Sequence, residues 1–168
     1  MNEDPKNAEQ LSAEESADSM NYNYKRLGRE LAMQFLFQCD LTGGECTDTM
    51  RDEFWAQAEE SGEFPANRVF RKARNYAERL VAGVNENENE LMDIISEFSH
   101  DWDADRIAPV DRSIMKIAIY EMKYSDGIPM LVSIDEAIEI AKKFGSEKSG
   151  NFINGILNSV KNNLIKKS

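Results

Sequence analysis

The stretch that decides the fold is DRIAPVDRSIMKIAIYEMKY, residues 105–124 of the 168-residue chain. Proline has no backbone N–H and fits only the first turn of a helix, so a helix is predicted to begin near Pro109. With the following residues placed at steps of about 100°, apolar side chains cover most of the circumference, and Arg112, Lys116 and Lys123 form one narrow polar strip. A helix that is apolar on nearly every side is typical of a central position, surrounded by other helices.

Two acidic residues fall inside the apolar arc of this central helix. Asp111 lies in the first turn, where the positive end of the helix dipole favours a carboxylate. Glu121 lies near the other end, and a buried carboxylate without a partner is too costly to keep. We therefore expect a cation or a hydrogen-bond donor from another segment to pair with Glu121.

Helical spacing of apolar residues recurs before the central helix, and no segment shows the strict alternation of a strand. Polar residues that cap helices, together with proline and glycine, mark the boundaries. The predicted segments are a helix over 24–41 with Asn23 as N-cap, an acidic helix capped by Thr47 and running to about Glu60, a helix over 66–84 opened by Pro65, a soluble turn over 85–90, and a fourth helix from Leu91.

Two more helices are predicted after the central one. Ser133 to Glu136 matches the S-x-x-E capping box, and Gly145 is expected to end the helix that follows it. Gly155, in the middle of the last helix, costs about 1 kcal/mol relative to alanine and predicts a close contact with another helix. Trp102 is expected to cover the core. The prediction is an all-α, single compact bundle of about seven helices over residues 23–168.

The N-terminal residues 1–22 have a different character from the rest of the chain. The first 20 residues carry six acidic residues against Lys6 and few large apolar side chains, which predicts a disordered acidic tail. Such a stretch is neither a signal peptide nor a transit peptide. No apolar run approaches the roughly 20 residues of a membrane-spanning helix. The expected location is therefore the cytoplasm, with no membrane contact.

Histidine and cysteine are sparse, and carboxylate pairs carry no specificity in a chain with 31 acidic residues. His100 is the only histidine, and its setting in Ser-His-Asp-Trp predicts a loop residue, not a base. Cys39 falls on the apolar stripe of the first helix and is expected to be an inert thiol. With Cys46 it makes neither a disulfide framework nor a zinc site. Gly43-Gly44 follows a helix and lacks the lysine of a phosphate loop. We predict no enzymatic activity, no cofactor and no metal.

The net charge of −11 argues against a nucleic-acid partner, but the distribution of charge argues for one. Residues 25–29, KRLGR, contain no acid, and the chain from residue 140 onwards has six lysines against Glu147. Clustered cations of this kind are typical of RNA-binding proteins. That these lysines merely solvate helix surfaces remains an alternative. Basic residues also cover the outer faces of the third helix: Arg68, Arg71, Lys72, Arg74 and Arg79.

Several short stretches occur in a fixed order between residues 25 and 165. They are RxxRExAxQxLFQxD (26–40), AGVxxN (82–87), W (102), RIAPVDR (106–112), IAIYE (117–121), IP (128–129), IDEAIEIAK (134–142), FG (144–145) and FINGIL (152–157). In this order they resemble the NusB family of transcription antitermination factors, over all of the chain except the acidic tail. The resemblance implies a small all-α domain that binds the boxA element of nascent ribosomal RNA. It also implies two partners, the small-subunit ribosomal protein NusE and an antitermination complex on RNA polymerase.

By position, the resemblance assigns RNA contacts to Lys25, Arg26 and Arg29 at the start of the first helix and to Phe152 and the residues before it. The family usually has lysine before the phenylalanine. This chain has Asn151 there, and Lys148 is expected to supply the missing charge. Single-stranded RNA requires cations along its backbone and an aromatic face for a base, which these residue types provide. Phe152 lies at the edge of an apolar arc, so a core position remains an alternative.

The same resemblance places Phe37, Asp111 and Glu121 on the surface that faces the ribosomal protein. Met33 shares an outer stripe of the first helix with Phe37, and for this stripe both core and docking patch remain open. Two other functions also remain open. One is a protein-interaction module of the same fold, such as a homodimer, without RNA binding. The other is the RNA-binding N-terminal part of an rRNA methyltransferase, which requires that this sequence be a fragment.

Overall fold

The computed structural model describes residues 24–63, 68–100 and 106–167. Within these ranges the chain forms helices and no strands, which confirms the all-α prediction, and none of these helices is long and apolar enough to cross a bilayer. The predicted tail over 1–22, the cap Asn23, the helix opener Pro65 and the core cover Trp102 lie outside the described residues. The helices are α1 over 24–41, α2 Asp48–Glu60, α3 Arg68–Glu86, α4 Glu88–Phe98, α5 Pro109–Tyr124, α6 Met130–Phe144 and α7 Ser149–Lys167.

Helix α5 occupies the centre of the bundle, as its sequence predicts. It begins at Pro109 and packs against α3, α4, α6 and α7. Met115 and Ile119 are fully buried, and their neighbours on the same helix are almost as inaccessible. Burial of this many apolar side chains, each worth about 1.5–3 kcal/mol, makes α5 the main contributor to the core.

The polar strip of α5 is also covered by neighbouring helices. Each of its three cations forms an ion pair with an acidic residue of α1 or α4, so the strip joins α5 to both helices. Because these pairs are partly shielded from solvent, they are screened less than pairs on an open surface. The pairs are Arg112 with Asp40, Lys116 with Glu88 and Lys123 with Glu90.

Helices α1 and α3 approach each other closely at Gly28. A Cβ atom at this position would lie 2.9 Å from the carbonyl oxygen of Ala73 and 3.2 Å from Cβ of Tyr76. Only glycine fits such a distance without moving one of the helices. Gly28 therefore fixes the separation of α1 and α3.

Two predicted helix boundaries are wrong. The soluble turn predicted over 85–90 is much shorter, because α3 continues to Glu86 and α4 begins at Glu88. The capping box predicted at Ser133 does not form. Helix α6 begins at Met130 after Pro129, and Ser133 is buried inside it. The carboxylate of Glu136, which a capping box would use, instead accepts hydrogen bonds from Arg26.

Two further predictions, at Gly155 and at Cys39, are corrected. Gly155 is exposed, and a Cβ atom there would meet nothing within 4 Å, so the expected helix contact is absent. Cys39 is buried as predicted, but it is paired with Cys46 in a disulfide and is not a free thiol. The turn through Gly43 and Gly44, both with positive φ, reverses the chain and brings the two Cα atoms to 5.2 Å.

Gly28 and Gly155, both within helices, offer a matched pair of substitutions. Gly28→Ala should lower the free energy of unfolding by about 1–3 kcal/mol, because the added methyl group overpacks the α1–α3 contact. Gly155→Ala should raise it by about 0.5–1 kcal/mol, since only helix propensity changes. Urea denaturation of both variants measures the difference. Equal stabilisation by the two substitutions would contradict the close contact at Gly28.

Candidate nucleic-acid interface

Arg29 and Glu121 form a buried ion pair between α1 and α5. The guanidinium donates two hydrogen bonds to the carboxylate, from Nε at 2.7 Å and from Nη2 at 2.9 Å. The Arg29 residue is 3% exposed and the Glu121 residue 1%. This pair supplies the cation that the sequence predicts for Glu121. Two parallel N–H···O bonds fix the orientation of both side chains, so the pair sets how α1 is rotated against α5.

Tyr76 brings α3 into the same network. Its hydroxyl donates to the Glu121 carboxylate, and the Arg29 guanidinium carbon lies 5.6 Å from the centre of its ring. Burial, together with the negative charge of Glu121, raises the pKa of Tyr76 far above its usual range, so the hydroxyl keeps its proton. For Arg29, burial alone would lower the pKa, but the hydrogen bond and the charge of Glu121 raise it overall. Arg29 therefore stays a cation.

Arg26 connects the start of α1 with α6. Its Nε and Nη2 atoms donate to Glu136 at 2.8 and 2.9 Å, and its side chain remains 36% exposed. Glu136 itself is buried and also lies 3.8 Å from Nη1 of Arg29. Lys25, beside Arg26, is half-buried and forms no ion pair with the residues that the structure describes. The start of α1 thus has one anchored and one available cation.

The start of α7 presents a second polar surface. Lys148 and Asn151 are exposed, and Phe152 is half-buried against the core. Asn151 and Lys142 of α6 line an open cavity of about 540 Å³. The first turn of α7 has no acidic residue of its own, but the buried Asp111 carboxylate of α5 already accepts a hydrogen bond from Ser149 at this helix end. Both candidate surfaces adjoin α6, since Arg26 contacts Glu136 near the middle of that helix.

Several predicted contact residues are not on the surface. Arg29, predicted to touch RNA, is committed to Glu121. Met33 and Glu121, predicted to face a protein partner, are each 1% exposed, and Asp111 is 7% exposed. Burial raises the pKa of the Asp111 carboxyl, against the effect of a hydrogen bond from Ser149. These four residues belong to the core and its polar network. Phe37 is half-buried, so part of its ring is accessible at the edge of the core.

Two residues of the network were not singled out by the sequence. Tyr76 falls on the apolar stripe of α3, where the pattern predicts only that an aromatic residue packs in the core. Glu136 matches a capping pattern and so suggested a local role. Tyr76 donates to Glu121, 45 residues away, and Glu136 accepts from Arg26, 110 residues away, so helical spacing within one segment could not predict either contact.

Fold and site together define a class of protein, a helical scaffold with cationic surfaces at two helix starts and a buried charge network between them. The NusB family model matches residues 26–162, and the chain belongs to this family. It is 41% identical over 140 residues to the transcription antitermination protein NusB of Bacillus cereus (strain B4264), covering 83% of this chain and 98% of that protein.

Solved structures show the same fold. T. maritima NusB superposes with a TM-score of 0.68 at 32% identity, over 82% of this chain and 90% of that one. NusB in the crystal structure of antitermination factors NusB and NusE with dsRNA gives a TM-score of 0.68 at 24% identity, over 84% and 98% of the two chains. The first likeness agrees with family membership, and the second shows the fold alone.

The buried pair leads to a prediction about stability. Arg29→Met should lower the free energy of unfolding by about 3–5 kcal/mol, because it leaves the Glu121 carboxylate buried without its cation. The double variant Arg29→Met/Glu121→Gln should lose clearly less, since it removes both charges and keeps an acceptor for Tyr76. Lys142→Met, which breaks an exposed pair with Glu139, should change stability by about 0–1 kcal/mol. Urea titrations that find the double variant as unstable as the single one would contradict this account.

Proposed function

We propose that this chain is a non-catalytic transcription antitermination factor that binds boxA-type single-stranded RNA of ribosomal RNA transcripts together with ribosomal protein NusE. In this proposal it acts in the cytoplasm as part of the antitermination complex on RNA polymerase. The observation that carries the proposal is membership of the NusB family at 41% identity to a curated antitermination protein over 98% of its length. The surfaces at the starts of α1 and α7 supply the chemistry.

The proposed RNA surface consists of Lys25, Arg26, Lys148, Asn151 and Phe152, and it is called the RNA surface below. Lys25 and Lys148 have no ion-pair partner among the described residues and can each contact a phosphate. The Asn151 amide can donate to or accept from a base edge. The half-buried ring of Phe152 offers an edge or face on which a base can stack. Arg29 contributes indirectly, by holding α1 in place.

The proposed surface for NusE lies farther along α1. Phe37 is half-buried and Leu41, one turn on, is 64% exposed, so together they offer an apolar surface beside the ion pair of Asp40 with Arg112. Aromatic residues are enriched at protein interfaces, and the buried centre of an interface is more apolar than its rim. In this arrangement the start of α1 contacts RNA and its end contacts the protein partner. One helix then serves both ligands.

The first test removes two charges from the RNA surface. Lys25→Gln/Lys148→Gln should weaken binding of boxA-like RNA, measured by fluorescence anisotropy with NusE present. It should also reduce the slope of log K against log salt by about 0.7 for each lost phosphate contact on a single strand. The matched control, Lys166→Gln/Lys167→Gln, makes the same charge change at the far end of α7 and should leave the slope unchanged.

Two outcomes would contradict the proposal. If scrambled RNA binds as tightly as boxA-like RNA, the chain does not recognise boxA. If no RNA binds to the wild-type protein with NusE present, the protein-interaction module is the better description. In that second case, light scattering of the chain alone should show a homodimer or another stable assembly.

The second test addresses stacking by Phe152. Phe152→Leu keeps an apolar side chain of similar size against the core but removes the aromatic face. Binding of boxA-like RNA should weaken by about 1–3 kcal/mol, with little change in the salt slope, because stacking involves no phosphate. Circular dichroism should show the same helical content and at most a small drop in the unfolding temperature, because the ring is half-buried against the core. Unchanged RNA affinity would return Phe152 to a purely structural role.

A further inference from the structure

Helix α3 exposes an unusual row of cations. Arg68, Arg71, Lys72 and Arg79 are all exposed, and none forms an ion pair with a described residue. Placed at about 100° per residue, they fall within an arc of roughly 100°, so they share one face of the helix. Asn75 lies in the same arc and is also exposed. These four cations are called the α3 stripe below.

The remaining basic residue of this segment behaves differently. Arg74 lies outside the arc, pairs with Glu59 of α2 and with Glu78, and its guanidinium carbon lies 5.1 Å from the centre of the Trp55 ring. Arg74 therefore belongs to the scaffold, where it joins α2 to α3. The contrast shows that acidic partners are within reach of α3, yet the stripe has none.

The stripe is unfavourable for the isolated helix. The first turn of α3 contains no acidic residue, so Arg68 and Arg71 stand at the positive end of the helix dipole. Arg68 and Lys72 are also like charges four residues apart, which destabilises a helix by a few tenths of a kcal/mol. The chain as a whole has 31 acidic and 20 basic residues, so cations without acidic partners are notable here. An anionic ligand would offset these repulsions.

Contacts between aromatic and basic side chains place the stripe next to the start of α1. The ammonium of Lys72 lies 5.5 Å from the centre of the Tyr24 ring. Tyr24 in turn makes an edge-to-face contact with Tyr76, with ring centres 6.3 Å apart. The close approach of α1 and α3 at Gly28 holds this arrangement. Tyr24 is directly followed by Lys25 and Arg26, so the α3 stripe lies next to the helix start at which the RNA surface begins.

We propose that the α3 stripe is a phosphate-binding track that extends the RNA surface beyond α1 and holds RNA next to the specifically bound segment. This inference rests on the proposed function. From Arg68 to Arg79 the helix rises about 16 Å, enough for several successive phosphates. Contacts to phosphates carry no sequence information, so the stripe adds affinity for flanking RNA whatever its sequence.

The same surface fits a protein partner poorly. Protein interfaces have a core of apolar and aromatic side chains, and charged residues are depleted there. The large apolar side chains exposed in the described part of the chain are Leu41, Tyr124, Leu131 and Ile165, and none of them is on α3. The α3 stripe and Asn75 form a row of polar groups that has no apolar centre. Such a row fits a nucleic-acid backbone better than a protein surface.

The test compares two variants of equal net charge in the full chain with NusE present. One is Arg68→Gln/Lys72→Gln/Arg79→Gln, and the control is Arg51→Gln/Lys166→Gln/Lys167→Gln, which removes three cations from α2 and the end of α7. The RNA probes are a minimal boxA-like oligonucleotide and the same oligonucleotide extended at its 5′ or its 3′ end with arbitrary sequence. Fluorescence anisotropy over a salt series gives affinity and slope for each.

For the wild type and the control, one of the two extensions should tighten binding and steepen the salt dependence. The stripe variant should bind both extended RNAs only as tightly as the minimal one. Its slope of log K against log salt should be smaller in magnitude than that of the control by about 0.7 for each lost phosphate contact. If the stripe variant and the control behave alike, the inference is overturned and the proposed function stands. If NusE affinity falls while the RNA slope is unchanged, the stripe is a protein surface. If the wild type binds no RNA, both are overturned.

Discussion

The buried pair between Arg29 and Glu121 is the interaction on which the rest of the structure depends. A charge in the interior is tolerated only where its partner and its hydrogen bonds are all in place, so few arrangements of α1 against α5 satisfy it. Tyr76 adds the same requirement for α3, and the proximity of Arg29 to Glu136 adds it for α6. Four helices therefore meet at one network whose members cannot be satisfied separately. Apolar packing alone would allow these helices to slide or rotate.

This network explains why neighbouring cations of α1 have different roles. Arg26, Arg29 and Lys25 look alike in sequence, as one basic cluster at the start of a helix. Gly28 lets α3 approach so closely that Tyr76 covers Arg29. Lys25 lies one turn closer to the N-terminal end of α1 and stays half-exposed. The approach of α3 at Gly28 thus makes Arg29 structural, whereas Arg26 is anchored separately by Glu136 of α6. The resemblance to a family identifies the basic cluster but does not distinguish its buried cation from its accessible one.

The features that could be predicted from sequence are those in which a residue acts on its own backbone. Pro109 starts α5 and Thr47 caps α2, with its side chain accepting from the Met50 N–H, because both effects are complete within one turn. The need of Glu121 for a partner was also visible, since burial of the helix around it followed from periodicity. The identity of that partner was not, because Arg29 is 92 residues away. Ser133 failed as a cap because α6 already begins at Met130, after Pro129, so Ser133 lies inside the helix.

The distribution of cations explains how a strongly acidic chain can still present a surface for RNA. Inside the bundle, Arg29, Arg112, Lys116 and Lys123 are each bound to a carboxylate, so they contribute little to the field outside. Cations without such partners among the described residues include those at the start of α1, on the outer face of α3 and before α7, and also Arg106 and the lysines in the second half of α7. An RNA strand within a Debye length of about 8 Å responds to these nearby charges more than to the total. The net charge of −11 therefore describes the chain as a whole, whereas binding depends on where cations without acidic partners are grouped on its surface.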